Sequence, residues 1–185
     1  MSGAKRWWSA RRPGEDECPA RDECAEHYRA YIDAVPDGDI VETLVAQGRR
    51  MAARLRDTPA DRGGFRYARG KWTVREVVGH LIDTERVFAY RAAHIARGDP
   101  APLPDMDPDA WTKRSNAATR SLRDLTEEFE AVRASTVALF RGLEPGAWAR
   151  RGSTGGREVT ARVLAWVIAG HAIHHEEVLG KKYGL

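Results

Sequence analysis

Apolar residues recur at alternating steps of three and four along several segments of this chain, which is the spacing of one face of an α-helix. The most regular stretch begins after Ser121, which together with Asp124 has the pattern of a helix start, and it stops at Pro145. Its apolar stripe consists of Leu122, Leu125, Phe129, Val132, Thr136, Leu139 and Leu143. This segment is predicted to be a bundle helix.

Two further helices are predicted upstream, each beginning at a residue that can cap it and a Glu three positions later. Asp39 with Glu42 starts the first, and Thr73 with Glu76 starts the second, both as capping boxes. The second helix carries His80 on its apolar stripe and stops at a Gly-Asp-Pro sequence. His80 is therefore predicted to face the core.

The last helix is predicted from residue 161 to about residue 180, with Thr160 as its N-cap. Apolar residues occupy almost every direction around it, so burial on two sides is expected. The second side packs either against the N-terminal segment or against another subunit, and the pattern favours neither.

The remaining segments are predicted to be short or irregular. A short helix is expected over residues 22–35, before Pro36. Residues 98–120 contain four prolines and are predicted to form a long irregular crossover. The glycine-rich stretch at 152–156 is expected to be a loop, and no strand is predicted.

These elements predict an all-α protein: a four-helix bundle with an extra short N-terminal helix and a long crossover loop. A length of 185 residues suits one domain, which we assign to residues 21–185, with residues 1–20 as a flexible tail. Sites in such bundles are built from side chains on facing helices.

Composition excludes several classes of protein. The 42% of hydrophobic and 31% of charged residues are typical of a soluble globular domain. Thirty Lys and Arg against 27 Asp and Glu give a net charge of +3, a surplus too small and too scattered to predict a nucleic-acid partner. No apolar run approaches the roughly 20 residues that span a bilayer, and no secretion signal is evident at the start. We therefore expect a cytoplasmic protein with no membrane partner.

Cys18 and Cys24 are expected to be reduced thiols without a metal role, because a lone C-x5-C pair is poor zinc spacing.

Histidines supply the candidate chemistry. At about 100° per residue, His171 and His175 on the last helix project within roughly 40° of each other, so both can reach one ion. His80 is a third candidate from another helix, and three imidazoles suit Zn2+ or Ni2+ while leaving coordination positions for water or substrate. Spacing alone leaves two alternatives open. His174 also falls within the apolar arc, and a buried histidine is often a core residue bonded to a carbonyl group.

Two stretches around these histidines resemble the DinB/YfiT-like proteins. The first, residues 71–86, contains the motif W-T-x-x-E-V-x-x-H-L, and the second, residues 169–175, ends in H-x-x-x-H. The lead-in at Tyr67 and the loop at residues 97–100 are similar to the same family. The resemblance extends from about residue 25 to the end of the chain.

The resemblance implies a DinB-like bundle that holds one divalent metal ion, usually Zn2+ or Ni2+, with His80, His171 and His175, and it makes His174 a non-ligand. Characterised relatives include S-transferases that use bacillithiol or mycothiol, so a low-molecular-weight thiol is one expected cosubstrate. An open three-His site equally suits a hydrolase that activates water. Members are frequently dimers, so a homodimer is expected.

The reacting residues and the small-molecule substrate are not set by the motifs. Asp83 and Glu85 lie within about a turn of His80 and are the candidates for orienting a ligand or moving a proton, although such residues are more often surface charges. Arg91 either meets an anionic substrate or extends to solvent, and the crossover loop is expected to cover the pocket. The alternatives to an enzyme are a non-catalytic metal- or ligand-binding module and a helical interaction protein without metal.

Overall fold

The four long helices of the sequence pattern are present in the computed structural model, which describes residues 18–185. In chain order the helices are α1 (Arg29–Ile32), α2 (Ile40–Asp57), α3 (Val74–Ala96), α4 (Pro108–Arg114), α5 (Leu122–Arg141), α6 (Pro145–Trp148) and α7 (Ala161–Tyr183). The strands are β1 (Arg151–Thr154) and β2 (Arg157–Thr160), and short 3₁₀ turns lie at Arg21–Glu23, Glu26–Tyr28, Ala60–Gly64 and Ala117–Thr119. Helices α2, α3, α5 and α7 pack together as a four-helix bundle, which confirms the predicted fold class.

Side-chain caps fix the beginnings of the long helices. Thr73 and Glu76 form the predicted capping box, with the Glu76 amide donating to the Thr73 hydroxyl at 3.2 Å and the Thr73 amide donating to the Glu76 carboxylate at 2.6 Å. Asp39 accepts from two amides at the start of α2, but Glu42 does not reach back. Its carboxylate accepts from Arg141 of α5 at 2.9 Å, so the predicted capping box there is wrong and the cap is one-sided.

The core of the bundle is divided into two apolar clusters, and α7 contributes to both. The apolar residues between positions 161 and 169 of α7 belong to the first cluster, together with Phe88 and Ile95 of α3. Leu179 and Tyr183 belong to the second, with the start of α3. The segment of α7 between these two parts contains the histidines, so the fold places polar side chains at the junction of two apolar regions.

The N-terminal segment covers the second side of α7. Helix α1 crosses α7 at Gly170, where a Cβ atom would lie only 2.0 Å from the carbonyl oxygen of Tyr31. Burial on two sides is thus accounted for within one chain, and the homodimer stays a prediction. The expected helix over residues 22–35 is wrong as a continuous element: two 3₁₀ turns precede a single turn of α-helix. Burial of Tyr28 and Ile32 against the bundle takes precedence over regular helical geometry here.

The crossover between α3 and α5 is less irregular than predicted. Pro108 is the first residue of α4, and the Asp107 carboxylate accepts from the Ala110 amide at 3.0 Å. Proline at the first position of a helix is favourable because the N–H that it lacks has no intrahelical partner there. Interpreting all four prolines as breakers of structure was therefore wrong for Pro108.

The glycine-rich stretch before α7 is a hairpin, so the expectation of no strand is also wrong. Strands β1 and β2 pair antiparallel, with Arg151 opposite Thr160 and Thr154 opposite Arg157. Gly155 and Gly156 form the turn with φ values of 56° and 74°, which glycine adopts without strain. Each strand has only four residues, too few to show a clear alternation in sequence.

The remaining expectations concern the N-terminal tail, membrane-spanning helices and the two cysteines. The predicted flexible tail falls largely on residues 1–17, which lie outside the described residues. From residue 18 onward, no helix is both long enough and apolar enough to span a membrane. Cys18 and Cys24 are both free thiols.

Candidate metal centre

Three histidines from two helices meet at the junction of the core clusters. The Nε2 atom of His171 lies 3.0 Å from Nε2 of His80 on α3 and 3.1 Å from Nε2 of His175, one turn further along α7. One ring nitrogen from each of the three falls within 4.8 Å of the others. The structure therefore brings together the three side chains that the sequence singled out.

All three imidazoles are buried and are held in the neutral form. Burial, with a smaller contribution from neighbouring histidines, lowers the pKa of His175 to about 3 and that of His171 well below its ordinary value of 6.5. Burial likewise lowers the pKa of His80 to about 4. A neutral imidazole has a free lone pair, which is the form that binds a metal ion.

The spacing of the nitrogens fits a shared ion. Two nitrogens bound at about 2.0–2.1 Å to one ion are roughly 3.0–3.4 Å apart, depending on the coordination angle. The observed separations of 3.0 and 3.1 Å lie within that range. On the far side of His80, Nδ1 lies 3.2 Å from the hydroxyl of Thr84. A hydroxyl that accepts from Nδ1–H leaves the Nε2 lone pair for a metal.

Within residues 18–185, no carboxylate or thiol joins this His triad to make a fourth ligand. His174 is exposed and does not belong to the cluster. The donor set is thus three imidazoles from α3 and α7. Such a set leaves at least one coordination position for a water or a substrate.

Neither acidic residue near His80 contributes to the cavity at the triad. Glu85 is buried in an ion pair with Arg133 of α5, which corrects the expectation of a surface charge. Asp83 is half-buried and lies 3.7 Å from Arg86. Burial raises the pKa of the Asp83 carboxyl, and the guanidinium of Arg86 opposes that shift. Their positions favour structural contacts over direct participation in chemistry.

A cavity of about 350 Å³ opens directly on the three histidines. Its walls combine aromatic and charged side chains: His27, Tyr28, Tyr31, Trp72, Phe88, Arg91, Asp105, Met106, Pro108 and Arg157 also line it, with Thr84 and Val87. The Trp72 ring lies 4.8 Å from the ring of His80, measured between centroids. The crossover loop covers part of the cavity, as predicted, and contributes Asp105 and Met106 to its wall.

Sequence patterns did not identify several of these wall residues. Tyr31 reaches His171 with ring centroids 5.6 Å apart, because the N-terminal segment folds back over α7. Arg157 arrives from the hairpin, which was not predicted. For Thr84 the sequence did contain a signal, because a hydroxyl four residues after His80 lies on the same face of the helix.

Comparisons with known proteins identify the fold and the family of this chain. The structure resembles that of YfiT from Bacillus subtilis, which is described as a "probable metal-dependent hydrolase with an unusual four-helix bundle topology". The two are 19% identical with a TM-score of 0.63, over 90% of this chain and 93% of that one, which shows a shared fold. None of the curated proteins matches the sequence. The model of the DinB superfamily matches residues 43–179, which include all three histidines of the triad. This protein belongs to the DinB superfamily.

Proposed function

We propose that the protein is a divalent-metal-dependent enzyme in which His80, His171 and His175 hold one ion that activates a water or a thiol against a small molecule. The observation that carries this proposal is the convergence of three buried, neutral imidazoles on one point, next to a cavity. Three histidines at this distance would be a costly way to fill a core, because buried polar groups need partners.

The open coordination position favours an enzyme over a structural metal site. Structural zinc sites are closed by four protein ligands, whereas catalytic sites keep a position for water or substrate. The described residues supply three ligands, and all three of them line the cavity. Its size of about 350 Å³ suits a small molecule rather than a polymer.

A divalent ion bound here would act as a Lewis acid, lowering the pKa of a coordinated water or thiol toward neutrality. Side chains of the protein would form the surroundings of the ion. The Thr84 hydroxyl contacts Nδ1 of His80, while Trp72 and Phe88 are apolar parts of the cavity wall. A low local dielectric strengthens the charge interactions of a reaction in the cavity.

Support for the two nucleophiles comes from different sources. The description of YfiT as a probable metal-dependent hydrolase supports water. The thiol-dependent transferases that resemble this chain support a low-molecular-weight thiol. Both reactions use the same three ligands, and the proposal includes Zn2+ and Ni2+ as the ions to test first.

The first test measures bound metal by elemental mass spectrometry on protein purified without a histidine tag. We expect about one Zn2+ or Ni2+ per chain, and loss of that metal in His80→Ala, His171→Ala and His175→Ala. His174→Ala is the matched control, because this exposed histidine lies on the same helix and should leave the metal content unchanged.

The loaded protein is then tested for ester and amide hydrolysis, and for conjugation of a thiol to an electrophile. Metal-dependent turnover in either assay, lost in the same three variants, supports the proposal. Failure to bind any divalent ion after supplementation would reject it and favour core histidines. A stably bound ion without turnover in any assay would favour the non-catalytic binding module.

A further inference from the structure

Two arginines make part of the cavity wall positively charged. Arg91 of α3 is buried, with only 4% of its side chain exposed, and lies on the cavity wall. Among the described residues its guanidinium donates one hydrogen bond, to the carbonyl oxygen of Pro104 at 2.6 Å. Guanidinium groups present five N–H donors, so one neutral carbonyl leaves most of the donors of this group available.

A second arginine faces the same region from the hairpin. Asp105 of the crossover loop lies between the two cations, 3.6 Å from Arg91 and 3.7 Å from Arg157. The Asp105 side chain is 67% exposed, and ion pairs this accessible to water are weak. Gly155 allows the loop to approach the hairpin, since a Cβ there would lie 3.0 Å from the Asp105 carboxyl carbon.

The charges on the cavity wall do not balance. Arg91 and Arg157 carry two positive charges against one negative charge on Asp105. A cavity with low-dielectric walls and this surplus attracts anions. Two arginines that converge on one carboxylate have the geometry for recognising another.

We propose that the substrate carries a carboxylate, which binds between Arg91 and Arg157 by displacing Asp105, while its reacting group lies at the histidines. This inference rests on the proposed function for the position of the reacting group. Asp105 acts as an internal competitor that occupies the anion site when no substrate is bound.

The positions of the two ends set the shape of the substrate. Arg91 follows His80 by three helical turns on α3, or about 16 Å along the axis, and helical side chains lean back toward the N terminus. The carboxylate is therefore separated from the reacting group by several bonds. A short ω-substituted carboxylic acid has that form.

The test compares two probes of equal length, 6-mercaptohexanoate and 6-mercaptohexanol, by titration calorimetry on zinc-loaded and on metal-free protein. We expect the carboxylate probe to bind at least tenfold more tightly than the alcohol in both forms. Arg157→Gln, a change at a half-exposed residue, should abolish most of that preference without altering the affinity for the alcohol. Asp105→Asn should raise the affinity for the carboxylate severalfold.

Two variants guard against misinterpretation. Arg151→Gln removes the same charge from the same hairpin outside the cavity and should keep the full preference. Arg91→Lys retains the charge of the buried residue, and thermal unfolding checks that it is folded. It should keep part of the preference.

Equal binding of the two probes, absence of binding by both, or a preference that survives in Arg157→Gln would overturn the inference. Failure of the proposed metal site gives a different result: zinc would then change the affinity of neither probe, while the preference for the carboxylate would persist.

Discussion

Arg133 of α5 and Glu85 of α3 form a bidentate ion pair inside the bundle, with Nε and Nη2 of the arginine each donating to a carboxylate oxygen at 2.8 Å. The third nitrogen of the guanidinium donates to the carbonyl oxygen of Leu44 on α2 at 2.9 Å. Gly48 makes room for the arginine, since a Cβ there would lie 2.7 Å from its Cγ. One side chain thus connects three of the four bundle helices just beyond His80.

Removing one member of this pair should destabilise the fold. Glu85→Gln leaves a buried guanidinium without its counter-charge, and we expect the free energy of unfolding to fall by about 3 kcal/mol. Urea unfolding followed by circular dichroism measures it. Asp83→Asn is the control, because its ion pair is partly exposed, and it should change stability by less than about 0.5 kcal/mol. Loss of activity in Glu85→Gln with an unchanged free energy of unfolding would instead indicate a direct role for Glu85 in the reaction.

Thr84 should determine how well His80 binds metal. Thr84→Val removes the hydroxyl that contacts Nδ1 but keeps the shape of the side chain, so we expect metal affinity to fall by roughly tenfold or more. Competition with a fluorescent chelator measures the affinity. Thr84→Ser restores the hydroxyl and should bind nearly as tightly as the unaltered protein. If the valine variant binds metal equally well, the hydroxyl does not orient the ligand.

The parts of the site that sequence predicts are those carried on long helices. His80, His171 and His175 lie on regular α-helices, where spacing alone fixes which side chains share a face. Thr73 and Glu76 set the start of α3 through a local hydrogen-bond pattern that is visible in sequence. Periodicity and capping are local effects, so they do not depend on knowing the tertiary structure.

The positively charged part of the cavity wall could not be predicted in this way. Arg157 reaches it from a four-residue strand, and Tyr31 reaches the histidines from an irregular segment that folds back over Gly170. Such contacts join residues far apart in the chain through turns, and no periodic pattern records them. Arg91 was considered as a contact for an anionic substrate, but only the position of Asp105 shows which groups it faces.

The crossing of α1 and α7 should tolerate no side chain at Gly170. Gly170→Ala would place a Cβ against the backbone of Tyr31, and overpacking against backbone has no easy relief, so we expect a loss of at least about 2 kcal/mol. Limited proteolysis should then cut within residues 18–35, as the N-terminal segment lifts from α7.

Gly180→Ala is the matched control on the same helix, where the nearest atom is the flexible end of Arg54 at 3.4 Å. That variant should be neutral or slightly more stable, because alanine favours helix. Resistance of Gly170→Ala to proteolysis and denaturant would show that the two segments are not tightly packed.

Acid should destabilise the metal-free protein through the three histidines. Burial lowers the pKa of His80 to about 4 and that of His175 to about 3, whereas in the unfolded chain these groups titrate near 6.5. Below pH 6.5 the unfolded state therefore binds protons that the folded state does not, and stability falls until the pH reaches the folded-state pKa values. Between pH 7 and pH 5 we expect a loss of about 2 kcal/mol for each imidazole that stays neutral in the fold. Urea unfolding of metal-free protein at both pH values measures it. His175→Gln should reduce the dependence, because it removes one of the buried imidazoles. Equal stability at the two pH values would mean that the imidazoles take up protons in the folded protein as readily as in the unfolded chain.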